Sequence, residues 1–483
     1  MGLPLAGHKD NHAGIITPAQ IIELRNHHGI REGYEWEPWE GLSTNEQKVK
    51  GIIANTPFNT KMERRHRASY IPIDVLPQIE GKILSTQEGF RKILNEIGLT
   101  NTPMAERTLT VSPDVTVSTN LGPWVNRKKR FAHKEKPGIF EQENIVSGQK
   151  WIFSPDGQYL KLGIAESNLF LLLGAAGLSH SLFGQRLLPI GTLYDPFITR
   201  GLDSLNYACY QDARFMVVAT PSGITLAPKG GAHQSISMPL IGIAQDGLAS
   251  FEHAFVDELT FIMEWGFKYM QRDNKNENES SDWLREQTGG PVYLRCSTRP
   301  IEQPKRDITS KLSNNIIDGA YWMRTPGPNC ELVIAYQSSV APEAIMATGI
   351  LAEDRKDIGL LAITSADRLN AGWKSACSAR SEGNQKAHRK APIKIPLSAV
   401  FITIHDAHPA ALAWLGSVHG HRTSPLGVEH FGQTGIINEL YENFGISTQS
   451  IIDAAQSFPK IDLLDMQGCL RKKLVITLSF IYP

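Results

Sequence analysis

The chain has 483 residues, enough for two to four domains with ample core. Lys+Arg and Asp+Glu both total 49, so the formal net charge is zero and no whole-protein field favours nucleic acid or an anionic membrane. Hydrophobic residues make up 41% and charged residues 20%, the balance of a soluble globular protein.

Residues 1–75 show no compact-domain pattern. One helix is predicted there, with Thr17 as N-cap, Pro18 in the first helical position, Ile21, Ile22 and Leu24 as apolar positions and Gly29 as stop. The stretch after it, rich in Trp, Glu, Asn and Pro, reads as a linker. A domain starts near Pro77. Ser85 and Glu88 form a predicted capping box before Phe90, Ile93, Leu94 and Ile97, and Gly98 ends that helix. Strands are predicted at 107–111, 159–164, 187–192, 214–219 and 291–296, with helical patterns between them. Alternating strand and helix implies a mostly parallel, doubly wound sheet, and Val, Ile and Leu on both strand faces agree with burial by helices. NRKKRFAHKEK (126–136) reads as a solvated basic loop, without the aromatic interleaving of a nucleic-acid patch. DNKNENESSD (273–282) reads as a polar surface loop.

A second run of the same alternation begins near Asn329. CELVIAYQSSV is a strand and turn, APEAIMATGIL a helix, and LLAITSADRLN and AVFITIHD continue the pattern before GVEHFGQTG leads into the helix INELYENFG. Residues 373–396 read as a basic loop. The fold class is therefore α/β, with two doubly wound, mostly parallel sheet domains. The last 26 residues, 458–483, continue no expected element and are either a strand-like edge or an out-of-frame tail. Five cysteines (Cys209, Cys296, Cys330, Cys377, Cys469) are odd in number and include no CxxC pair, which points to a reducing cytosol without a disulfide frame or a cysteine zinc site. No signal peptide precedes Gly2, and no apolar run reaches the roughly 18 residues of a membrane span.

The chemistry-bearing residues gather after strand ends. Glu166 in LGIAESN follows a short apolar strand and opens a small-residue helix; it is either a carboxylate placed for the helix dipole or a functional acid in a dry pocket. Tyr194 and Phe197 form an aromatic corner after the next strand, and His233 lies in the glycine-rich GGAHQSI, where Gly230 and Gly231 permit close backbone approach. Asp114 in SPDVT is a turn residue or a ligand contact. Arg299 in STRP either binds a carboxylate or forms a structural salt bridge. His405, Asp406 and His408 cluster in sequence and are read as structural.

The order LGIAESN, Tyr194 to Phe197, GGAHQSI resembles the pyrimidine-binding domain of thiamine-diphosphate enzymes of the transketolase superfamily, above all the homodimeric type of pyruvate dehydrogenase component. The resemblance covers roughly residues 1–457. It implies four regions: 1–75, the tail end of a diphosphate-binding domain plus linker; 76–305, a pyrimidine-binding domain; 306–457, a transketolase-like C-terminal domain; and 458–483, an atypical tail. It implies that Glu166 activates thiamine diphosphate by hydrogen bonding to its pyrimidine ring. Phe197, with Tyr194 as competitor, would stack on that ring, and Asp114 would face the cofactor or a subunit interface. His233, together with His8 and His12 of LAGHKDNHAG, would handle substrate protons, and Arg299 would meet a substrate carboxylate.

The implied reaction is oxidative decarboxylation of a 2-oxo acid, pyruvate favoured, with acyl transfer to a lipoyl-bearing acyltransferase. The alternatives are a transketolase acting on sugar phosphates and a non-catalytic dimerising fragment. The family holds Mg²⁺ through a GDG motif that this chain lacks. No metal ligand is therefore expected here, and the diphosphate half would come from a second copy or a partner chain, unless the gene is broken. Neither nucleic acid nor membrane is an expected partner, and the expected location is cytoplasmic.

Overall fold

The computed structural model describes residues 16–56, 66–113, 116, 119–138, 142–146, 150–273, 284–383, 395–396 and 399–458. The expectations for His8, His12, Asp114, nearly all of 273–282 and the tail past Phe458 lie outside these residues. Contacts divide the chain into two units, Met1–His66 and Arg67–Pro483.

In the first unit the helix Pro18–His27 starts as predicted, with a full capping box between Thr17 and Gln20, but none of its residues is buried and Ile21 and Ile22 are half exposed. The expected linker contains a second helix, Glu46–Ala54, capped by Asn45, whose side chain accepts from Lys48 N.

The second unit holds both main sheets. Its strands in chain order are β1 (Ile83–Leu84), β2 (Thr108–Ser112), β3 (Arg130–Phe131), β4 (Phe153–Ser154), β5 (Tyr159–Lys161), β6 (Leu188–Tyr194), β7 (Met216–Thr220), β8 (Ala249–Glu252), β9 (Val292–Arg295), β10 (Ile301–Glu302), β11 (Ala320–Arg324), β12 (Leu332–Gln337), β13 (Gly359–Ile363), β14 (Val400–His405) and β15 (Thr423–Leu426). An eight-stranded sheet has the order β4-β3-β5-β2-β6-β7-β9-β8, with every pairing parallel. A five-stranded sheet, β11-β13-β12-β14-β15, is parallel except for the antiparallel edge β11. β1 and β10 form a small antiparallel pair.

Residue alternation explains the double winding. In β7, Met216 and Val218 enter one apolar cluster while Val217 and Ala219 enter another. In β12, Leu332, Ile334 and Tyr336 join the first cluster while Val333 and Ala335 join a third. Both faces of each sheet are therefore covered, which is why these strands read as continuous apolar runs rather than alternating ones.

Several expectations need correction. The helix Thr86–Leu99 runs through Gly98, which faces the ring of Trp124; a Cβ there would lie 3.1 Å from that ring. Ser85 accepts from Glu88 N at 3.1 Å, the first half of the expected capping box. The basic run 126–136 is not a free loop. It contains the end of the helix Gly122–Lys128 and strand β3, and Arg130 lies 4.4 Å over the Phe153 ring. Residues 373–381 are helical, within Ala366–Ser381. Among the described residues no helix is long and apolar enough to cross a membrane. Cys209, Cys296, Cys330 and Cys377 are free thiols, and burial pushes Cys209 and Cys296 up to about 12, so neither is a thiolate near neutral pH.

Candidate active site

Because the large sheet is parallel, its strands discharge their loops along one carboxyl edge. β5 lies on one side of β2 and β6 on the other, so the winding direction reverses there, and such a reversal opens a crevice suited to a ligand. Glu166 follows β5, Tyr194 ends β6 with Phe197 just after it, and His233 follows β7. The structure brings these four together.

Glu166 is 6% exposed and opens the helix Glu166–Gly177, whose N-cap, Ala165, offers no side-chain acceptor. The carboxylate thus sits where the helix dipole favours it. Its Oε1 accepts from Arg200 Nη1 at 3.2 Å. The same guanidinium lies 3.7 Å above the Phe197 ring centroid. Phe197 and Arg200 share the 3-10 helix Asp195–Gly201, where residues three apart eclipse one another. That spacing is the signal by which PFITR could have revealed Arg200, which sequence reasoning missed. Ser167 Oγ donates to Arg200 O at 2.8 Å and ties the two segments together. Gly201 lets them touch: a Cβ there would lie 2.5 Å from the Phe170 ring and 2.9 Å from Glu166 O.

The Phe197 ring is 5.8 Å from Tyr194 and 5.8 Å from His233, and Tyr194 and His233 are 6.4 Å apart, all edge to face. The three rings are half-buried. A buried carboxylate, a movable cation and an aromatic wall with a histidine can hold a flat, nitrogen-containing ring by hydrogen bonding at its edge and contact on its face.

The loop carrying His233 is braced by the five-stranded-sheet domain. Gly230 and Gly231 both have φ near +53°. Gly231 N donates to Gly432 O at 3.1 Å, and Gln234 Nε2 to Gln433 O at 3.3 Å. A side chain at Gly432 would overlap the Gln234 amide. GVEHFGQTG therefore helps to place His233.

Beneath the rings runs a buried ionic network that sequence reasoning missed. Asp195 accepts from Arg295 Nε at 2.9 Å and also from Tyr293 and Ser235. Arg295 further pairs with Glu252, and Glu252 Oε1 lies 3.0 Å from His405 Nε2. Asp406 accepts from Ser339 Oγ at 2.8 Å. Burial alone would raise Glu252, but Arg295 and His405 outweigh it and hold the carboxyl down at about 2. Burial raises Asp406, against the pull of His405. Arg295 links Asp195, between Tyr194 and Phe197, to Ser235, two residues past His233. His405 thus meets Glu252 between the two sheets with Asp406 beside it, while His408 stands apart, its Nδ1 accepting from Ala410 N at 3.2 Å. Arg299 does not face the rings. Its guanidinium grips Glu343 at 2.7 and 2.9 Å and Ser339 O at 2.8 Å, the salt-bridge alternative of the two read from sequence.

No family model matches the chain. A 228-residue stretch, 44% of this chain, is 25% identical to the pyruvate dehydrogenase E1 component of Corynebacterium glutamicum and covers 24% of that protein. Transketolase 2 of Aliivibrio fischeri is 22% identical over 312 residues, 64% of this chain and 41% of its own length. Among solved structures, transketolase from Leishmania mexicana superposes with a TM-score of 0.56 at 17% identity, over 79% of this chain and 46% of that one. The fold is thus that of transketolases, and part of the chain is similar in sequence to pyruvate dehydrogenase E1 components and transketolases. The chain spans less than half the length of each of these three proteins.

Proposed function

We propose that this chain carries the pyrimidine-binding and C-terminal domains of a thiamine-diphosphate-dependent 2-oxo acid dehydrogenase, with pyruvate as the favoured substrate. The observation that carries the reading is the convergence of Glu166, Arg200, Phe197, Tyr194 and His233 at one strand edge. These residues fit the cofactor's aminopyrimidine. Glu166 is buried, and its polar side-chain partner among the described residues is the half-exposed Arg200, which engages one carboxylate oxygen. Thiamine diphosphate, when bound, supplies a carbon nucleophile and an electron sink for decarboxylation. Glu166 would hold a proton between its carboxyl oxygen and the pyrimidine ring nitrogen. Phe197 and Tyr194 would exclude water and fix the ring plane, and His233 Nδ1 or Nε2 would exchange a proton with substrate. His8, His12 and Asp114 remain proposed contributors, as does Arg299 as a brace.

The residues present do not fit magnesium diphosphate. No GDG motif occurs in the sequence, and among the described residues the one carboxylate-containing group able to hold a metal lies behind Arg295, off the aromatic corner. The diphosphate half would therefore be contributed by a second copy, a partner chain or another part of a longer protein. A lipoyl-bearing acyltransferase would accept the acyl group, and the unpaired cysteines suit a reducing, cytoplasmic setting.

A second reading, a transketolase on sugar phosphates, is favoured by the longer match to transketolase, 64% of this chain against 44%. The test is calorimetric titration of thiamine diphosphate with Mg²⁺ into the chain and into Glu166→Ala, alone and with a diphosphate-domain protein. Binding lost in the variant supports the cofactor site, and turnover of pyruvate against xylulose 5-phosphate separates the substrates. Binding unchanged by Glu166→Ala sinks the assignment.

A further inference from the structure

At the carboxyl end of β8 and the carboxyl end of β14, three side chains point their donor atoms at one spot. Glu252 is 2% exposed, and His405 and Asp406 are fully buried. One donor atom from each lies within 4.8 Å of the other two, the one such group among the described residues. His405 Nε2 is 3.0 Å from Glu252 Oε1 and 3.9 Å from Asp406 Oδ1.

The partnering is uneven. Each carboxylate has one oxygen tied to protein: Glu252 Oε2 to Arg295, and Asp406 Oδ2 to Ser339 Oγ at 2.8 Å. Among the described residues the other oxygen of each, Glu252 Oε1 and Asp406 Oδ1, has no hydrogen bond of good geometry, and neither do the ring nitrogens of His405, whose Nε2 meets Glu252 only as an ion pair. His405 Nε2 stands at contact distance from Glu252 without hydrogen-bond geometry. Unpartnered buried polar atoms are costly, and here they converge instead of scattering. The charges point the same way. Asp195 and Glu252 both pair with the buried Arg295 guanidinium and Asp406 lies beside His405, so three carboxylates share one guanidinium and one imidazole. A buried negative excess is stable only when a further positive charge is present.

We propose that Glu252, His405 and Asp406 form a structural site for a divalent transition-metal ion of the zinc type. An imidazole nitrogen with two carboxylate oxygens suits zinc and its neighbours, whereas calcium and magnesium prefer all-oxygen shells rich in water. One free oxygen from each carboxylate and one imidazole nitrogen supply three protein ligands, and a water fills the fourth position. Glu252 comes from the eight-stranded sheet and the other two ligands from the five-stranded sheet, so the ion pins one sheet end to the other. Arg295 and Asp195 stand between it and the aromatic corner. The ion thus holds the scaffold beneath Tyr194, Phe197 and His233 and takes no part at the ring pocket. This site does not depend on the thiamine-diphosphate reading. Full burial means that the ion enters as the chain folds, so metal content and folding are coupled.

The test uses the full chain, unfolded in chelator and refolded with Zn²⁺, with Mn²⁺, with Mg²⁺ or with chelator present. Metal content is read by mass spectrometry after gel filtration, and Tm by calorimetry. The expected result is about one equivalent of Zn²⁺ per chain, as a single structural site requires, and a Tm several degrees above the chelator sample, with Mg²⁺ giving neither. His405→Gln and Asp406→Asn keep side-chain size and are expected to lose the metal and the Tm difference. If those variants fail to fold, the wild-type refolding series decides alone. Wild-type protein that folds equally well in chelator and retains no Zn²⁺ overturns the proposal and leaves a proton, not a metal, between the carboxylates. Zn²⁺ retained undiminished by folded His405→Gln and Asp406→Asn overturns it as well.

Discussion

Arg200 has two attachments, one to the Glu166 carboxylate and one to the face of Phe197. Its side chain is 49% exposed, so both contacts are solvent-screened and together hold it by about 1 kcal/mol. A flat ring that bonds Glu166 and covers Phe197 on the same side must first displace this guanidinium. Arg200→Ala is therefore expected to tighten thiamine-diphosphate binding by about fivefold, the equivalent of that energy, in the same titration. Weaker binding would show instead that Arg200 contributes to holding the ligand. A different residue sets a pH response. Asp367 is partly buried, accepts from Ser250 N at 2.9 Å, and faces Arg368 and Lys374. Burial raises its carboxyl from the ordinary 3.8 to about 7, against the pull of those contacts. The folded state then binds the proton more tightly than the unfolded chain. Its stabilising contribution is complete below about pH 4 and fades as pH rises through about 7. Asp367→Asn keeps the acceptor and removes the charge. Urea denaturation should find it more stable than wild type at pH 8 by an amount on the order of a few kcal/mol, with little difference at pH 4.

At the scale of elements, the meeting of the helix Glu166–Gly177 with the segment Asp195–Gly201 depends on Gly201. Gly201→Ala inserts a methyl group into the Phe170 ring and should cost about 1–3 kcal/mol in denaturant unfolding while displacing Arg200 and Phe197. An unchanged midpoint would mean the two segments separate easily. The long strands β6, β7, β12 and β14 were legible because their residues are apolar on both faces. β8 was not, since Ser250 and Glu252 look solvent-facing in sequence and are buried here by partners that lie far off in the chain, Asp367 and Arg295. Gly98 misled for a related reason: glycine marks either a helix stop or a close approach, and only the Trp124 ring decides between them. The same limit hid the supports of the site. Glu166, Phe197, Tyr194 and His233 stand beside local motifs, whereas Asp195 and Arg295 acquire their meaning from a pairing 100 residues apart.

Over the whole molecule, the helix Glu166–Gly177 is apolar around most of its surface, yet Leu171 is 59% exposed. Phe183, Tyr207 and Tyr210, on the segments that follow, are exposed as well. Apolar surface of this kind suits an interaction face, which the proposed diphosphate-binding half from outside would cover. Sedimentation should find the wild-type chain associating as its concentration rises and Leu171→Glu/Tyr210→Glu monomeric. A wild-type monomer at every concentration would leave a different chain as the only occupant of that face. The ionic network beneath the rings bears on how such a protein can be recombined. Glu252 and Arg295 are encoded before residue 306, His405 and Asp406 after it, and Gly432 shapes the space for Gln234. A chimera that joins the eight-stranded-sheet half to a foreign five-stranded-sheet half inherits one side of a lock without its key, so shuffling at that seam succeeds only when the His-Asp pair and the glycine travel together.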